Sequence, residues 1–182
     1  MAQIETTYRF LNGLQVPRAG WATRGLLMEQ RPDLMPPHIE PLIQNEFWTV
    51  RQDAEFAVPG FYVVGARAQV LSIADLTAAQ MTEFSTIIRA VREIMRSKLG
   101  IERVNIYLEE KLKEPHLHIW LVPMWPEIME QHGIEPRLWE GNVRKYLELF
   151  KFEEEDQKIL RFNRIMREAL LEHSDLRELN FT

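Results

Sequence analysis

Two histidines separated by one residue are the side chains best suited to chemistry in this sequence. Residues 115–123 read PHLHIWLVP, so His116 and His118 are followed by Trp120 at the same spacing. Side chains alternate along an extended strand, which would place these three on one face and the intervening leucine and isoleucine residues on the other. A neutral imidazole can attack phosphorus, donate to an anion or bind a metal ion.

Three interpretations of this histidine pair are open from the residues alone. In the first, both imidazoles are structural and satisfy loop carbonyl groups. The second is a metal site, which needs a further ligand, and Glu109, Glu110 and His132 offer suitable donor atoms at no diagnostic spacing. The third is phosphate chemistry, in which one imidazole attacks and the other donates to the phosphate oxygens.

The composition excludes several function classes. The chain has 182 residues, a length that predicts one domain, or one domain with arms, rather than two full domains. Its 46% hydrophobic and 10% aromatic residues exclude a disordered chain. With 22 basic and 27 acidic residues the net charge is −5, which argues against general binding to nucleic acid or anionic membranes. The sequence contains no cysteine, which excludes disulfides, thiolate catalysis and cysteine-ligated zinc or iron–sulfur sites.

No segment of the sequence has the pattern of a targeting or membrane-spanning element. The first ten residues, MAQIETTYRF, lack the apolar core of a secretory signal. The longest apolar run, residues 119–125, contains a proline and is too short to cross a bilayer. We therefore expect a cytoplasmic protein with no membrane partner.

Short runs rich in β-branched and aromatic residues predict strands, and the overall pattern predicts an α+β fold. The predicted strands are residues 47–50, 61–64, 103–108 and 116–122, with residues 69–73 as an extension or a further strand. In the third of these, Val104, Ile106 and Leu108 are predicted to point inward.

The clearest helix signal lies before the third of these strands. Thr77 and Gln80 match a capping box and Gly100 is a natural residue after a helix end, so a helix is predicted over residues 77–98. The apolar positions expected to face the sheet are Met81, Phe84, Ile88, Val91, Met95 and Leu99.

The regions on either side are predicted to pack on this central part. Residues 1–41 are rich in proline and are interpreted as an N-terminal arm with little regular structure. Residues 126–182 are interpreted as a loop followed by C-terminal helices. The predicted organisation is therefore an arm (1–41), a central domain (42–125) and a helical extension (126–182).

Several segments resemble the histidine-triad (HIT) superfamily. Residues 115–123 resemble its signature, His-φ-His-φ-His-φ-φ, where φ is apolar. Residues 63–76, VVGARAQVLSIADL, resemble the family segment LVIPKRHVxSLxDL, and the turn Pro59-Gly60 precedes them as in the family. Asn105 lies on the strand before the signature, where the family commonly has an asparagine. The resemblance covers residues 42–125, including the order strand, strand, long helix, strand, loop, strand.

This resemblance implies a fold and a reaction. It implies an antiparallel sheet of five strands with the long helix packed on it, and a homodimer. It also implies that His118 attacks the α-phosphate of a nucleotide, as in diadenosine polyphosphate hydrolases, while His116 supports the phosphate. Water or another phosphate then takes the nucleotide from the nucleotidyl-histidine. The covalent step requires no metal, although Mg²⁺ can arrive with the substrate.

The sequence departs from the family pattern around these histidines. Trp120 stands at the third triad position, Gln69 replaces a further family histidine, and residues 109–114 (EEKLKE) replace a glycine-rich loop. The alternative function is therefore a protein that binds a nucleotide or phosphorylated metabolite without turnover, and a structural or partner-binding role comes third. The expected substrate-binding residues are Asn105, Trp120, Arg67, Gln69, Lys113 and Asp53, with Lys111 as an alternative cation to Lys113.

Overall fold

The computed structural model describes residues 7–9, 15–17, 40–110, 117–134 and 140–182. The elements within these ranges are β1 (Thr7–Arg9), β2 (Gln15–Pro17), β3 (Ile43–Gln44), β4 (Trp48–Gln52), β5 (Tyr62–Ala66), α1 (Ala78–Ser97), β6 (Val104–Glu109), β7 (His118–Pro123), α2 (Pro126–Gln131), α3 (Glu140–Leu147) and α4 (Phe152–Glu172). Two 3-10 helices lie at Ile73–Asp75 and Ser174–Leu179. Strands β1 and β2 pair antiparallel with each other, in a region where the sequence predicted little regular structure.

Five of these strands form one antiparallel sheet, as the sequence predicted. Its order is β3-β4-β5-β7-β6. The middle strand β5 is rich in aromatic and β-branched residues, and all five of its residues are buried. The strand that carries His118, β7, is flanked by β5 and β6, so it lies inside the sheet rather than at an edge.

Helix α1 covers one face of the sheet and has the caps that the sequence predicted. The Thr77 side chain accepts the N–H of Gln80 at 3.2 Å, and the Gln80 side chain accepts the N–H of Thr77 at 2.9 Å. Gly100 lies beyond its C-terminal end with φ +68°, a conformation that glycine adopts at little cost.

The buried face of α1 differs from the predicted one. The buried residues of this helix are Phe84, Ile87, Ala90, Val91, Ile94 and Met95. Met81, which was predicted to be buried, is exposed at the N-terminal end of the helix. Ile87 and Ile94 are buried because α1 is in contact with α4 and with the Ser174–Leu179 helix as well as with the sheet.

Two secondary-structure predictions are wrong. Residues 69–73 do not form a strand, because Ser72 begins the 3-10 helix Ile73–Asp75: its hydroxyl accepts the N–H of Ala74, and the Asp75 carboxylate accepts the N–H of Ser72. The segment after Trp125 is not a loop, because Pro126 starts helix α2 at a position where a missing N–H costs nothing.

The prediction that Ile106 and Leu108 point into the core is also wrong. These side chains are 48% and 38% exposed. They lie on the α1 face of β6, the edge strand, where only the first residue, Val104, packs against the core. Alternation along the strand is present, but no element within the described ranges covers this side of the edge.

The sheet separates two apolar clusters, which define its α1 face and its opposite face. On the α1 face, Leu117, Ile119 and Leu121 pack with residues of α1 and α4, as expected for one side of β7. On the opposite face, residues of α2 and α3 cover Phe61 and Val122. The C-terminal helices therefore contribute to both clusters.

One hydroxyl ties α3 to the end of β7. Tyr146 OH donates to the carbonyl of Pro123 at 2.8 Å and accepts the N–H of Trp125 at 3.0 Å. Tyr62 is equally buried on the α1 face, but its hydroxyl has no hydrogen-bond partner among the described residues. The two tyrosines thus differ in what their hydroxyls contribute to stability.

The two edges of the sheet differ in how their backbone groups are paired. At the β3 edge, Gln44 and Thr182 exchange backbone hydrogen bonds of 3.0 and 2.9 Å, and the Asn45 amide donates to the carbonyl of Leu179 at 3.1 Å. Within the described ranges β6 pairs only with β7. Its outer edge therefore has no paired strand within those ranges, and an edge of this kind can pair with another chain.

The turn between β4 and β5 holds a buried carboxyl group. The carboxylate of Asp53, which is 6% exposed, accepts the N–H of Glu55 at 2.9 Å and of Phe56 at 2.8 Å. Burial raises the pKa of Asp53 to about 6, although these hydrogen bonds and the charge of Arg51 act in the other direction. Ionisation of this group therefore works against folding.

We expect Tyr146→Phe to lower the free energy of unfolding by about 1–3 kcal/mol, because it leaves the Pro123 carbonyl and the Trp125 N–H unpaired. The matched variant Tyr62→Phe removes a hydroxyl that has no partner and should leave stability unchanged or higher. Urea unfolding followed by circular dichroism measures both. Equal losses in the two variants would contradict the role of the Tyr146 hydroxyl.

A second expectation concerns pH. The folded pKa of Asp53 lies above the unfolded one, so the protonated group contributes stability at low pH that is lost as pH rises through about 6. Asp53→Asn keeps an acceptor oxygen without the charge and should stabilise the protein at pH 7 by up to about 3 kcal/mol. Melting temperatures from pH 4 to 8 test this, with the exposed Glu130→Gln as control. Parallel profiles for wild type and Asp53→Asn would refute it.

Candidate functional site

Strand register places His118 in a row of residues that crosses the sheet. Thr49 pairs with Gly65, Gly65 with His118, and His118 with Glu109. Paired residues lie on the same face, so this row runs across the opposite face from β4 to β6. His118 is half-buried, so its ring is not sealed inside the core.

Trp120 lies on the same face as His118, as the sequence predicted. The centroids of these two rings are 6.1 Å apart, and the indole meets Phe61 edge-on at 5.5 Å. Trp120 is half-buried and packs against the cluster formed with α2 and α3. It therefore forms a wall between His118 and that cluster, with a single N–H to donate.

Gly65, although buried with the rest of β5, adds no side chain between His118 and Thr49. A Cβ atom at this position would lie 3.5 Å from the Cβ of His118 and 3.9 Å from Cγ2 of Thr49, both ordinary contact distances. The φ angle of Gly65 is not positive either. Neither the backbone nor the neighbouring atoms therefore require glycine here.

Thr49 lies on β4, on the side of Gly65 away from His118. Its hydroxyl oxygen is buried and has no hydrogen-bond partner in the part of the chain that the structure describes. A buried hydroxyl without a partner costs about 1–3 kcal/mol of stability. The sequence analysis missed both Thr49 and Gly65, because only the strand register shows that they are neighbours of His118.

Two of the predicted substrate-binding residues lie away from His118. Asn105 pairs with Val122, four residues along β7 from His118, and its amide donates to the Tyr107 hydroxyl at 3.3 Å. Asp53 lies in the β4–β5 turn, where its carboxylate is held by backbone N–H groups. Their roles toward a ligand stay predictions.

The other predicted residues follow β5 or lie outside the described ranges. Arg67 donates to the carbonyl of Asn45 through its guanidinium and to that of Phe47 through its backbone N–H. Gln69 is exposed. The remaining three candidates lie outside the described residues: His116, Lys113 and Lys111.

The residues on either side of 111–116 are both bound to the turn before α1. The Glu110 carboxylate accepts the Ser72 hydroxyl at 2.7 Å and the Ile73 N–H at 2.9 Å, and these hydrogen bonds lower its pKa. The Leu117 N–H donates to the carbonyl of Val70 at 3.0 Å. Sequence reasoning considered Glu110 only as a metal ligand, because its partner is 38 residues away.

The described part of the site offers a nucleophile and hydrogen-bonding groups rather than a cluster of metal ligands. Across the described ranges, no three histidine, aspartate or glutamate side chains are grouped so that they could hold a metal ion. No helix in those ranges has the length and apolar character needed to cross a membrane. The imidazole of His118 can attack an electrophile or donate a hydrogen bond, and the Thr49 hydroxyl can donate one.

Comparisons with known proteins give a match in structure but not in sequence. No family model and no curated protein matches the chain. A HIT-like protein from Bartonella henselae gives a TM-score of 0.51 at 12% identity, covering 80% of this chain and 95% of that one. A hypothetical histidine triad nucleotide-binding protein from Sulfolobus tokodaii gives 0.50 at 14% identity, covering 78% and 87%.

The C. elegans NitFhit protein is a longer chain, of which this chain covers 31%, with a TM-score of 0.48 at 12% identity. At such identities, the likeness to solved structures concerns the fold rather than the activity. A five-stranded antiparallel sheet carries α1 on one face and His118 on the other. This chain has the fold of the histidine-triad (HIT) superfamily.

Proposed function

We propose that this chain is a nucleotide hydrolase or nucleotidyl transferase that acts on a dinucleoside polyphosphate or another nucleotide conjugate. His118 is the nucleophile. The observation that supports this most is the position of His118 in a histidine-triad fold: half-buried, on the face opposite α1, and paired with Gly65, which has no side chain. The similarity to a solved histidine triad nucleotide-binding protein is consistent with a nucleotide ligand.

The reaction has two steps that balance without a redox partner. A ring nitrogen of neutral His118 attacks the α-phosphorus, a P–N bond forms, and the P–O bond to the leaving phosphate breaks with its electron pair. Water then attacks the same phosphorus and loses a proton to solvent, the P–N bond breaks, and its electron pair returns to the imidazole. The products are a nucleoside monophosphate and the released phosphate group; a second phosphate in place of water gives transfer. Mg²⁺ can accompany the substrate phosphates, but neither step requires it.

Trp120 at the third triad position favours leaving groups that depart without being protonated. An indole N–H can donate a hydrogen bond, but it cannot deliver a proton as an imidazolium can. A phosphate or polyphosphate departs as an anion without being protonated, whereas an amine needs a proton. Dinucleoside polyphosphates are therefore better substrates for this site than phosphoramidates.

Binding without turnover is the second candidate function, and two contacts favour it. Arg67 is engaged with the carbonyl of Asn45, and Trp120 packs against Phe61. Two side chains expected to contact the ligand therefore already have partners within the protein. A site with fewer free donors would hold a nucleotide without stabilising the charge that develops during phosphoryl transfer.

We also propose that the chain forms a homodimer through β6. The exposed Ile106 and Leu108 lie on this edge strand, and the opposite edge at β3 is covered through Thr182. An apolar edge strand is prone to pair with another chain. Pairing of β6 with β6 of a second copy would bury both side chains and continue the sheet.

The nucleophile is tested by comparing wild type with His118→Ala on diadenosine tetraphosphate, nucleoside phosphoramidates and nucleotide sugars, with products resolved by chromatography. We expect the variant to lose activity by about a thousandfold or more with an unchanged melting temperature, because alanine cannot form the covalent intermediate. His132→Ala, at an exposed position, is the control. Full activity in His118→Ala would exclude this mechanism. Nucleotide binding by the wild type without product would favour the second candidate.

The homodimer is tested by sedimentation velocity. We expect the wild type at twice the 21.6 kDa mass of one chain and Ile106→Lys at the mass of a single chain. A lysine placed in the dimer contact would carry a charge that has no partner there. Leu160→Lys, at an exposed apolar position on α4, should remain dimeric. A monomeric wild type would contradict the proposal.

A further inference from the structure

Gly65 lowers the stability of the sheet without a structural reason for its presence. Glycine in a strand interior loses more conformational freedom on folding and packs no side chain. Gly60 has such a reason, because its φ is +79° and a Cβ atom would come within 2.6 Å of Ile101. At Gly65 a Cβ atom would meet nothing closer than 3.5 Å.

The hydroxyl of Thr49, in the same row of residues, is a second feature that lowers stability without a structural explanation. Its hydroxyl oxygen is buried and has no hydrogen-bond partner among the residues that the structure describes. Valine has nearly the same shape and would avoid this penalty. A buried polar group without a partner calls for an explanation, and an absent ligand is one.

These two features meet at one point beside His118. The position that a Cβ atom of residue 65 would take lies 3.9 Å from Cγ2 of Thr49 and 3.5 Å from Cβ of His118. Rotation about χ1 of Thr49 exchanges its methyl and hydroxyl groups, so the hydroxyl can turn toward this point. Residues that destabilise the fold locally are expected where a protein binds a ligand or catalyses a reaction.

We infer that Thr49 and Gly65 complete the phosphate subsite at His118. A phosphate oxygen of the ligand lies beside Gly65, which adds no side chain between His118 and Thr49, and accepts a hydrogen bond from the Thr49 hydroxyl. Arg51, two residues further along β4, lies on the same face by alternation and adds positive charge. This inference rests on the proposed function, and it holds for turnover or for binding alone.

The role of Thr49 is tested by calorimetric titration with AMP and by kcat and KM for diadenosine tetraphosphate. Thr49→Val should weaken AMP affinity about tenfold or more, while Thr49→Ser, which keeps the hydroxyl, should bind within about twofold of wild type. The control is Thr86→Val on α1, where the lost hydroxyl donates to a helix carbonyl at 2.9 Å away from the site. Wild-type affinity in Thr49→Val, whatever its melting temperature, would overturn the role of Thr49.

The role of Gly65 is tested by Gly65→Ala in the same assays. We expect an equal or higher melting temperature, since alanine fits this backbone, together with AMP affinity that is weaker by about tenfold. A stable Gly65→Ala that binds AMP as the wild type does would overturn the role of Gly65.

The assays also separate this inference from the proposed function. A wild type that neither binds AMP nor turns over any nucleotide conjugate would overturn both. A wild type that binds or turns over nucleotide, with Thr49→Val and Gly65→Ala unchanged, would overturn only the subsite.

Discussion

The pairing of β5 with β7 is the constraint on which the rest of this structure depends. It sets Val64 opposite Ile119 on the α1 face and Gly65 opposite His118 on the other. Because side chains alternate along a strand, a slip of one residue would turn His118 toward α1 and expose the apolar residues of β7. Burial of those apolar residues therefore fixes the position of the imidazole, and the core and the candidate site share one register.

The C-terminal helices hold the same strand from its far end. Tyr146 on α3 binds the backbone at Pro123 and Trp125, and Lys158 on α4 lies 4.1 Å from the Trp125 ring centroid. Helices α2 and α3 also cover the opposite face beyond Trp120. The region outside the family resemblance is thus part of what positions β7.

Local sequence patterns were enough to predict the elements that depend on neighbouring residues. The capping box at Thr77 and the alternation around His118 are examples, and both appear in the structure. Predictions failed where a distant element decides the outcome. Ile106 is exposed because no described element covers its side of the edge strand, and the position of Asn105 relative to His118 depends on register. The residues near Glu110 in the sequence do not indicate the hydrogen bond that its carboxylate accepts from the Ser72 hydroxyl.

The closure of the β3 edge has a consequence for how the protein is made. The partner of Gln44 in this contact, Thr182, lies 138 residues later in the chain. At about 5–20 residues per second, translation takes roughly 7–28 seconds to add that many residues. During this interval β3 can pair with β4, but its outer backbone groups have no partner from this contact. Until Thr182 has been added, the nascent chain therefore lacks this contact at the β3 edge, and unpaired strand edges are sites where aggregation begins.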